Sequence, residues 1–504
     1  ELLQLRLAER WRLCAHLSAR AALVPPGQAI AERGRFHLVG GSNGRKMQSC
    51  QVRLASLASL TALLFQPIFA KVNLDDLTAW QDFYDSTNGS AWPDCSQLRN
   101  KPCLCGTDEP ITARNMENYY TFSVKIFIGG YGVHCKEIET EGSVMVEERI
   151  VGIAMADWGL TGTLPASLNK MSELTHLNLG NNNLRGSVTP ICGLQFMKHV
   201  ALYGNRFEGS LPPCLGYFDD LRSLNLAGNL FRGRIPKSLG KLGELRDLVL
   251  AEQNTYREDE LPTDPKKRSR CRLLKRAVPG ERTILFRDDR VWTCGGLSGG
   301  LPKEMAGMLR VRVFHLQGNA LYDNLPDWLP ASVESLDLSD NHFKTPWPKR
   351  WMDSGRRMAE LRLSYNDLQI SFQEIFPTLR SWMDNIREVS LSGTGLSGHI
   401  PALRYRTPGL HVLKLADNEL MGELPDFPGL HIFDVRNNTR LYGCIEHTDV
   451  PICHAIVQDN AAFDTDGCWL EGTSLEVCGL KTVDPEVMEQ YKDMWEEWQW
   501  MREI

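Results

Sequence analysis

The sequence predicts an α/β solenoid, in which short strands stack side by side into one long parallel β-sheet. Three observations lead to this fold class. A Leu-x-x-Leu-x-Leu motif recurs every 23 or 24 residues, an asparagine follows it, and a Gly-x-Leu/Ile-Pro bend comes next. Self-similarity at a fixed period is typical of repeat architectures, because each copy can bury its apolar face only against its neighbours.

The motif is present in about eleven copies. The clearest are LTHLNLGNNNLRGSV from Leu174, MKHVALYGNRFEGSLP from Met197 and LRSLNLAGNLFRGRIP from Leu221. A degenerate copy begins at Val151, and further copies begin at Leu245, Val311, Val333, Met358, Ile386, Leu410 and Leu430. The copy at Leu245 is interrupted by an insertion, and those at Met358 and Ile386 are irregular and lengthened.

Each letter of the motif has a physical role. Alternate residues of a strand point to opposite sides, so the leucines face a core and the residues between them face outward. The asparagine after each strand is predicted to point inward and to bond backbone groups that would each cost about 1–3 kcal/mol if buried unpaired. These asparagines are Asn182, Asn205, Asn229, Asn319, Asn341, Asn366, Asn418 and Asn438. Asn225, by contrast, is predicted to point outward, where substitution leaves the fold almost unchanged.

The pattern LxxLxLxxNxLxGxIP resembles the plant-type leucine-rich repeat, over roughly residues 74–480. The resemblance implies a right-handed superhelix or horseshoe with the parallel sheet on its concave face. LTAWQDFYDSTNGSAW (77–92) and YGVHC (131–135) resemble the N-terminal cap of such proteins, and the four cysteines after Gly443 resemble a disulfide-bonded C-terminal cap. Secreted proteins of the polygalacturonase-inhibitor type and ectodomains of receptor-like proteins are similar overall.

Six segments follow from these patterns. Residues 1–46 precede the first methionine, Met47, and are interpreted as a leader artefact or a disordered extension. Residues 47–70 read as a secretory signal peptide, with Arg53 before a short apolar run; an uncleaved anchor is the alternative. The N-terminal cap is predicted at 71–149, the solenoid at 150–443, the C-terminal cysteine cap at 444–483 and an amphipathic helix at 484–504.

The charge balance bears on the class of partner. The whole chain carries a net charge of −6, and residues 71–504 carry about −12 once the basic leader is set aside. An acidic chain argues against nucleic acid as the general partner. The signal peptide predicts a secreted or cell-surface location, and no further segment is apolar enough to span a membrane.

The cysteines predict disulfides. Setting aside Cys14 and Cys50 leaves an even number, as expected of an oxidised secreted chain. A zinc site is the alternative, but the Cys103-x-Cys105 spacing is one residue short and lacks a matching second pair. Cys192 and Cys214 are expected to bridge adjacent repeats, and Cys271 and Cys294 to close the insertion. The remaining candidates are Cys95, Cys135, Cys444, Cys453, Cys468 and Cys478.

The outward strand positions are the candidate binding residues, because partners usually dock on the concave face of a solenoid. An ordinary solvated surface is the alternative for any one of them. The candidates are His176, Asn178, His199, Ala201, Tyr203, Asn225, Asp247, His315, Gln317, Asp337, Arg362, Tyr365, Lys414, Asp434 and Arg436.

His176 and His199 occupy equivalent positions on neighbouring strands, so their side chains are expected about 5 Å apart. A metal site would need a third ligand, which is lacking, so none is assigned. A pH-sensitive contact is the milder hypothesis, because two adjacent imidazoles resist double protonation.

The insertion, 254–294, is the least repeat-like segment. It holds eleven Lys/Arg against seven Asp/Glu. It could be a docking loop for an acidic partner, a dibasic processing site or a solvated loop. Its basic loop residues are Lys266, Lys267, Arg268, Arg270 and Arg272.

Two further features complete the pattern. Asn88 and Asn437 lie in glycosylation sequons. In the tail, Met488, Tyr491, Trp495 and Trp498 recur on one helical face. That face is expected to pack on the last repeat, and a partner-docking helix is the alternative.

No catalytic motif and no cofactor-binding motif is present. The sequence therefore predicts a non-enzymatic, secreted or cell-surface recognition protein that binds a protein, peptide or glycan on its concave face. The first alternative is the ectodomain of a receptor-like protein whose anchor is missing, and the second is an inhibitor of a secreted hydrolase. An enzyme would need a reactive pocket that the sequence does not supply. Oligomeric state is not predicted.

Overall fold

The computed structural model describes residues 71–106, 131–139, 146–257, 261, 263, 268, 271–273, 291–354, 357–382, 384–401, 409–423, 425, 432–435, 437–444 and 474–476. The predicted signal peptide, the extension before it and the C-terminal tail lie outside this part. So do Cys453, Cys468 and Cys478. The α-helices within it are Leu74–Ser86, Trp351–Ser354 and Phe372–Ser381.

One long sheet organises the repeats. Its parallel strands, in spatial order, are Lys71–Val72, Val146–Ala154, His176–Asn178, His199–Ala201, Ser223–Asn225, Asp247–Val249, Val313–His315, Ser335–Asp337, Glu360–Arg362, Glu388–Ser390, Val412–Lys414 and Ile432–Asp434. Gly132–Glu139 pairs antiparallel with Val146–Ala154. Every predicted copy of the motif contributes a strand, so the predicted fold class is confirmed.

The central residue of each short strand points into a continuous apolar core. The register places Leu177 beside Val200, and Val200 beside Leu224. All three side chains are fully buried. Complete burial of such a side chain contributes about 1.5–3 kcal/mol, and this gain is available only when a neighbouring strand covers it.

Short 3-10 helices return the chain on the side opposite the long sheet. Most begin after the proline of the bend, because proline has the backbone angle that a helix start needs. They are Ala166–Lys170, Thr189–Gly193, Pro213–Tyr217, Lys237–Lys241 and Lys303–Gly307, with Gly89–Ala91 and Pro102–Leu104 in the N-terminal region.

Shorter sheets form where the chain bends after the asparagine. One of them, called here the second sheet, contains Thr161–Thr163, Asn183–Gly186, Arg206–Gly209 and Leu230–Phe231. Another contains Ser298–Gly299, Ala320–Asn324 and His342–Lys344. A further one contains Ser397–Gly398, Glu419–Glu423, Arg440–Cys444 and Ser474–Glu476. The bend glycine is required at Gly162, whose φ is +98° and where a Cβ would lie 2.0 Å from the Ser86 carbonyl oxygen.

The asparagines after the strands form a ladder of inward amides. Asn229 Nδ2 donates to the carbonyl oxygens of Leu202, Leu226 and Ala227 at 3.0–3.2 Å, and its Oδ1 accepts from Phe207 N at 3.1 Å. Each amide thus bonds its own strand and a neighbour. The same arrangement occurs at Asn182, Asn205, Asn319, Asn341, Asn366, Asn418 and Asn438.

Two ladder positions carry residues that the motif does not predict. Gln253 Nε2 donates to three carbonyl oxygens, and its Oε1 accepts from Phe231 N, so it replaces the asparagine. Thr394 Oγ1 donates to the Leu391 carbonyl oxygen at 2.9 Å. Asn418 Oδ1 then accepts from Thr394 N, which completes the turn.

The N-terminal helix covers the first strands and closes that end of the core. Trp80 and Phe83 pack against Trp92 with ring centroids 5.6 and 5.8 Å apart. The buried Asp76 carboxylate accepts from the Arg149 guanidinium at 3.0 and 3.1 Å and from Ile150 N at 2.8 Å. Disulfides Cys95–Cys105 and Cys103–Cys135 join the segments around the helix.

The irregular copies are accommodated by an α-helix and by the buried side chains of Trp347, Trp351 and Trp382. Phe372–Ser381 stands where other copies have a 3-10 helix or an extended bend. Trp351 Nε1 donates to the Pro326 carbonyl oxygen at 2.7 Å, and Trp382 Nε1 to that of Trp351 at 3.0 Å. The added length is therefore packed and hydrogen-bonded, and the sheet continues without a break.

Cys192 and Cys214 form a disulfide between two successive 3-10 helices, with a Cα–Cα distance of 5.5 Å. The structure thus places the pair where the 22-residue separation predicts. Cys271 and Cys294 are also joined. The first bond links two repeats on the side opposite the long sheet, so its role is structural.

Replacing Asn229 with alanine should lower the free energy of unfolding by about 3 kcal/mol, because four backbone groups lose a buried partner. Asn225→Ala removes one bond, that to Ala227 N at 3.1 Å, and should cost about 1 kcal/mol. Urea denaturation followed by circular dichroism measures both losses. Equal losses in the two variants would contradict the ladder interpretation.

Candidate functional site

The sheet face opposite the core is built from two rows of side chains. The first row precedes the central residue of each strand and the second row follows it. The first row is Gly152, His176, His199, Ser223, Asp247, Val313, Ser335, Glu360, Glu388, Val412 and Ile432. The second row is Ala154, Asn178, Ala201, Asn225, Val249, His315, Asp337, Arg362, Ser390, Lys414 and Asp434.

The candidate residues that lie outside these rows fall in the turns. Tyr203 and Gln317 come two residues after the second row, and Tyr203 is buried in a cluster with Ala201, Ala227 and Ala251. Tyr365 lies one residue later, with a φ of +57° at a position where four other copies have glycine. Its hydroxyl donates to Asp417 Oδ2 at 3.1 Å. Arg436 lies outside the described residues.

Several second-row residues are buried, although they occupy outward strand positions. Asn178, Asn225 and Asp337 are 8%, 2% and 8% exposed. The Oδ1 atom of each accepts from the backbone N–H two residues further on, at 3.0–3.1 Å. These side chains cap the end of their own strand, because the turn begins there and leaves an N–H group without a strand partner. Asn225 therefore contributes to the fold as well as to the face.

Other predicted face residues are also buried. They include His199, Asp247, Lys414 and Asp434. Strands about 4.8 Å apart bring the side chains of one row into contact, which shields them from water. Burial raises the pKa of Asp247 to about 6, although Arg312 and Arg246 oppose the shift.

His176 and His199 form a stacked pair, with ring centroids 4.8 Å apart and an angle of 20° between the rings. Thr175 Oγ1 lies 2.7 Å from His176 Nδ1. Burial, followed by His176 and Arg222, lowers the pKa of His199 to about 4; burial and Lys198 also lower that of His176. Both rings are therefore neutral at pH 7. Among the described residues, no group of three metal-ligating side chains is present.

A buried network of charges crosses the later strands. Arg362 Nε and Nη2 donate to the two carboxylate oxygens of Glu388 at 2.7 and 2.6 Å. Arg362 Nη2 also lies 3.0 Å from Glu360 Oε2. Burial opposes the charge of Arg362, but Glu360 and Glu388 outweigh it and raise its pKa well above the usual value. The arginine is thus fixed between two acidic residues.

The network continues to a histidine, but not in the order of a catalytic triad. Ser335 Oγ donates to Glu360 Oε2 at 2.8 Å, and His315 Nε2 lies 2.8 Å from the same hydroxyl. The serine proton therefore points to the carboxylate, and the histidine must donate. Burial and Arg362 lower the pKa of His315. His315 is therefore not placed to take the serine proton, as the histidine of a catalytic triad does.

Sequence reasoning missed most of this network. Ser335, Glu360 and Glu388 all belong to the first row, whereas the candidates were drawn mainly from the second. The sequence does identify these residues as neighbours on the face, because each immediately precedes the central residue of its copy.

The base of the basic insertion is a three-stranded antiparallel sheet of Thr255–Arg257, Val291–Thr293 and Arg272–Leu273. The disulfide Cys271–Cys294 closes it. Arg268 and Arg272 lie in described positions, and Lys266, Lys267 and Arg270 lie outside them.

The two sequon asparagines, Asn88 and Asn437, are exposed, as glycan attachment requires. Asn437 Nδ2 donates to Asp417 Oδ1 at 2.6 Å. Cys444 ends the strand Arg440–Cys444. Its possible partners among the last cysteines lie outside the described residues.

A protein-family model for the leucine-rich repeat matches residues 173–194 and 220–242. Together with the stacked strands and the asparagine ladder, these matches decide the identity of the repeats. The chain contains leucine-rich repeats. This result agrees with the resemblance drawn from the motif.

A relative found by sequence matches only a limited part of the chain. A probable leucine-rich repeat receptor-like serine/threonine-protein kinase of Arabidopsis thaliana is 37% identical over 69 residues, which are 14% of this chain and 7% of that protein. The chain therefore matches only a small part of that relative's length.

Two solved structures are similar in fold to this leucine-rich repeat chain. One is the ectodomain of the Arabidopsis thaliana membrane receptor kinase GASSHO1/SCHENGEN3, in complex with CASPARIAN STRIP INTEGRITY FACTOR 2 (21% identity, TM-score 0.46, 75% of this chain and 41% of that chain). The other is a plant ice-binding protein (17% identity, TM-score 0.49, 81% of this chain and 96% of that chain). Within the described ranges, no helix has the length and apolarity to cross a bilayer.

The histidine pair should make stability depend on pH. A folded-state pKa below the ordinary value of 6.5 means that the unfolded chain binds protons first on acidification. The contribution of His199 should be complete above pH 6.5 and be lost as the pH falls from 6.5 towards about 4. NMR titration should give both histidines pKa values below 6.5, and His199→Gln should flatten the dependence of the unfolding free energy on pH. Two independent titrations near 6.5 would contradict this result.

Removing Arg362 alone should destabilise the protein more than removing both Arg362 and its partner Glu388. Arg362→Met leaves Glu388, whose side chain is 5% exposed, buried without its partner and should cost about 3–5 kcal/mol. Arg362→Met combined with Glu388→Leu should recover most of that loss. Chemical denaturation of both variants measures the difference, and equal stabilities would show that the pair is not coupled.

Proposed function

We propose that the chain is a non-enzymatic recognition protein, secreted or at the cell surface, which binds a protein, peptide or glycan partner on the face of its long sheet. The observation that carries the proposal is the composition of that face. Polar and charged side chains occupy most positions of both rows, whereas the main apolar core lies on the other side and only a small cluster around Tyr203 lies on this one. A structural role alone would not need this variety of charges.

The face is also rigid. The ladder amides bond each strand to the next, and Arg362 and Glu388 are fixed by a bidentate contact between strands. Side chains held in this way lose little conformational freedom when a partner binds, which favours affinity. Tyr203 and Arg362 are of the residue types most often found at binding hot spots.

A role as the extracellular part of a receptor-like protein is the second candidate. Its support is the 37% identity over 69 residues to a probable receptor-like kinase. A transcript that continues into a segment of about twenty apolar residues, long enough to span a bilayer, would favour this role.

Affinity capture tests the proposed face. The protein secreted by cells that express the full chain is immobilised and exposed to the extracellular fraction of the source organism. Gln317, in a turn that borders the face, is half-buried, and Gln317→Arg should reduce capture of a specific partner about tenfold or more by steric conflict. The matched control is Asn183→Arg on the second sheet, an exposed site that should leave capture unchanged. Equal capture by both variants would place the binding site elsewhere.

A further inference from the structure

A row of four basic residues runs along the edge of the sheet face. Lys198, Arg222, Arg246 and Arg312, called here the basic row, each stand immediately before a first-row residue. The backbone N–H groups of Arg222, Arg246 and Arg312 each donate to the carbonyl oxygen of the preceding member of the row, at 2.7–2.8 Å. They therefore lie on four successive strands, even though the basic insertion separates Arg246 from Arg312 in sequence.

Most of this positive charge is not neutralised within the described part of the chain. Arg312 Nη2 lies 2.6 Å from Glu334 Oε2. Lys198, Arg222 and Arg246 form no ion pair among the described residues. Arg222 and Arg246 are exposed and Lys198 is half-buried. On a chain with a net charge of −6, such a row is a local exception that favours an anionic partner.

The neighbouring rows supply hydrogen-bond donors that are likewise unused. Among the described residues, Nδ2 of Asn178 and of Asn225 has no hydrogen-bond acceptor, since only Oδ1 of each bonds the turn. Amide donors beside a row of cations suit a ligand that presents backbone carbonyl groups together with carboxylates. That combination is typical of an acidic peptide.

We infer that the basic row, with the adjacent Asn178 and Asn225 amides, binds an extended acidic segment of a partner protein. The inference rests on the proposed function and names the chemistry of its partner.

The dimensions of the basic row agree with this ligand. Neighbouring strands lie about 4.8 Å apart, so four of them span about 14 Å. An extended peptide rises about 3.4 Å per residue, so its first and fifth residues lie about 14 Å apart with both side chains on one side. A segment of about five residues with acidic side chains at alternate positions therefore covers the row.

Asp247 limits the strength of this attraction. It lies in the first row beside Arg246 and Arg312, whose positive charges act on its carboxylate. When ionised, Asp247 repels an acidic ligand. Its replacement by asparagine removes this charge and changes little of the side-chain volume.

Fluorescence anisotropy with a defined probe tests the inference on the full chain. The probe is a labelled peptide of about twelve residues in which glutamate and serine alternate, and the control peptide has glutamine in place of glutamate. The glutamate peptide should bind at least about tenfold more tightly, and its affinity should fall as salt is added.

Three variants locate the contact. K198Q/R222Q/R246Q should weaken binding of the glutamate peptide by about tenfold or more, whereas D247N should strengthen it. The matched control R185Q/R234Q/K303Q removes three exposed positive charges away from the row and should change the affinity by less than about twofold. Unchanged melting temperatures show that each variant is folded.

Several outcomes would overturn the inference. Equal binding of the two peptides, or an equal loss in both triple variants, would show that the basic row does not select acidic peptides. Binding of polygalacturonate about tenfold tighter than the glutamate peptide, and lost in K198Q/R222Q/R246Q, would assign the row to an acidic glycan. A captured partner that still binds this variant but not the Gln317→Arg protein would leave the proposed function intact and refute the inference.

Discussion

The need to satisfy buried backbone groups at every turn governs this protein. Most strands of the long sheet have only three residues, too few to form a stable structure alone. The chain must then turn inward past the leucine core, where unpaired backbone carbonyl and N–H groups would lower the stability of the fold. The ladder amides meet this requirement between neighbouring repeats, as Asn229 does for Leu202 and Phe207. Because each bond joins two repeats, every repeat depends on the next.

The same stacking creates the sheet face and limits what its residues can do. Residues that repeat at one position are brought into adjacent strands, where they crowd and shield one another. This shielding lowers the pKa of His199, and it opposes the charge of Arg362, which the two neighbouring carboxylates stabilise. A polar side chain on this face therefore uses part of its hydrogen-bonding capacity on neighbouring residues. Only donors and acceptors that form no bond within the chain can bind a partner.

The charges divide the face into two regions with different properties. Around Arg362 the opposite charges are paired and buried, which favours shape and hydrogen bonding over net charge as the basis of recognition. Around Arg222 and Arg246 the charge is exposed and lacks a described counter-ion, so its field extends into solvent. An oriented ligand could use both regions, the second to attract it and the first to fix its position.

The sequence by itself determined the repeat period, the strand positions, the inward asparagines and the Cys192–Cys214 bridge, because these follow from spacing along the chain. It could not show that Gln253 and Thr394 replace ladder asparagines, since both substitutions depend on local backbone geometry. Only the tertiary structure decided that Asn225 is buried, that Ser335, Glu360 and Glu388 join Arg362, and that Arg246 lies beside Arg312 across the insertion. Periodicity specifies which residues share a row, but distances between rows and the burial of each side chain arise only when the strands stack.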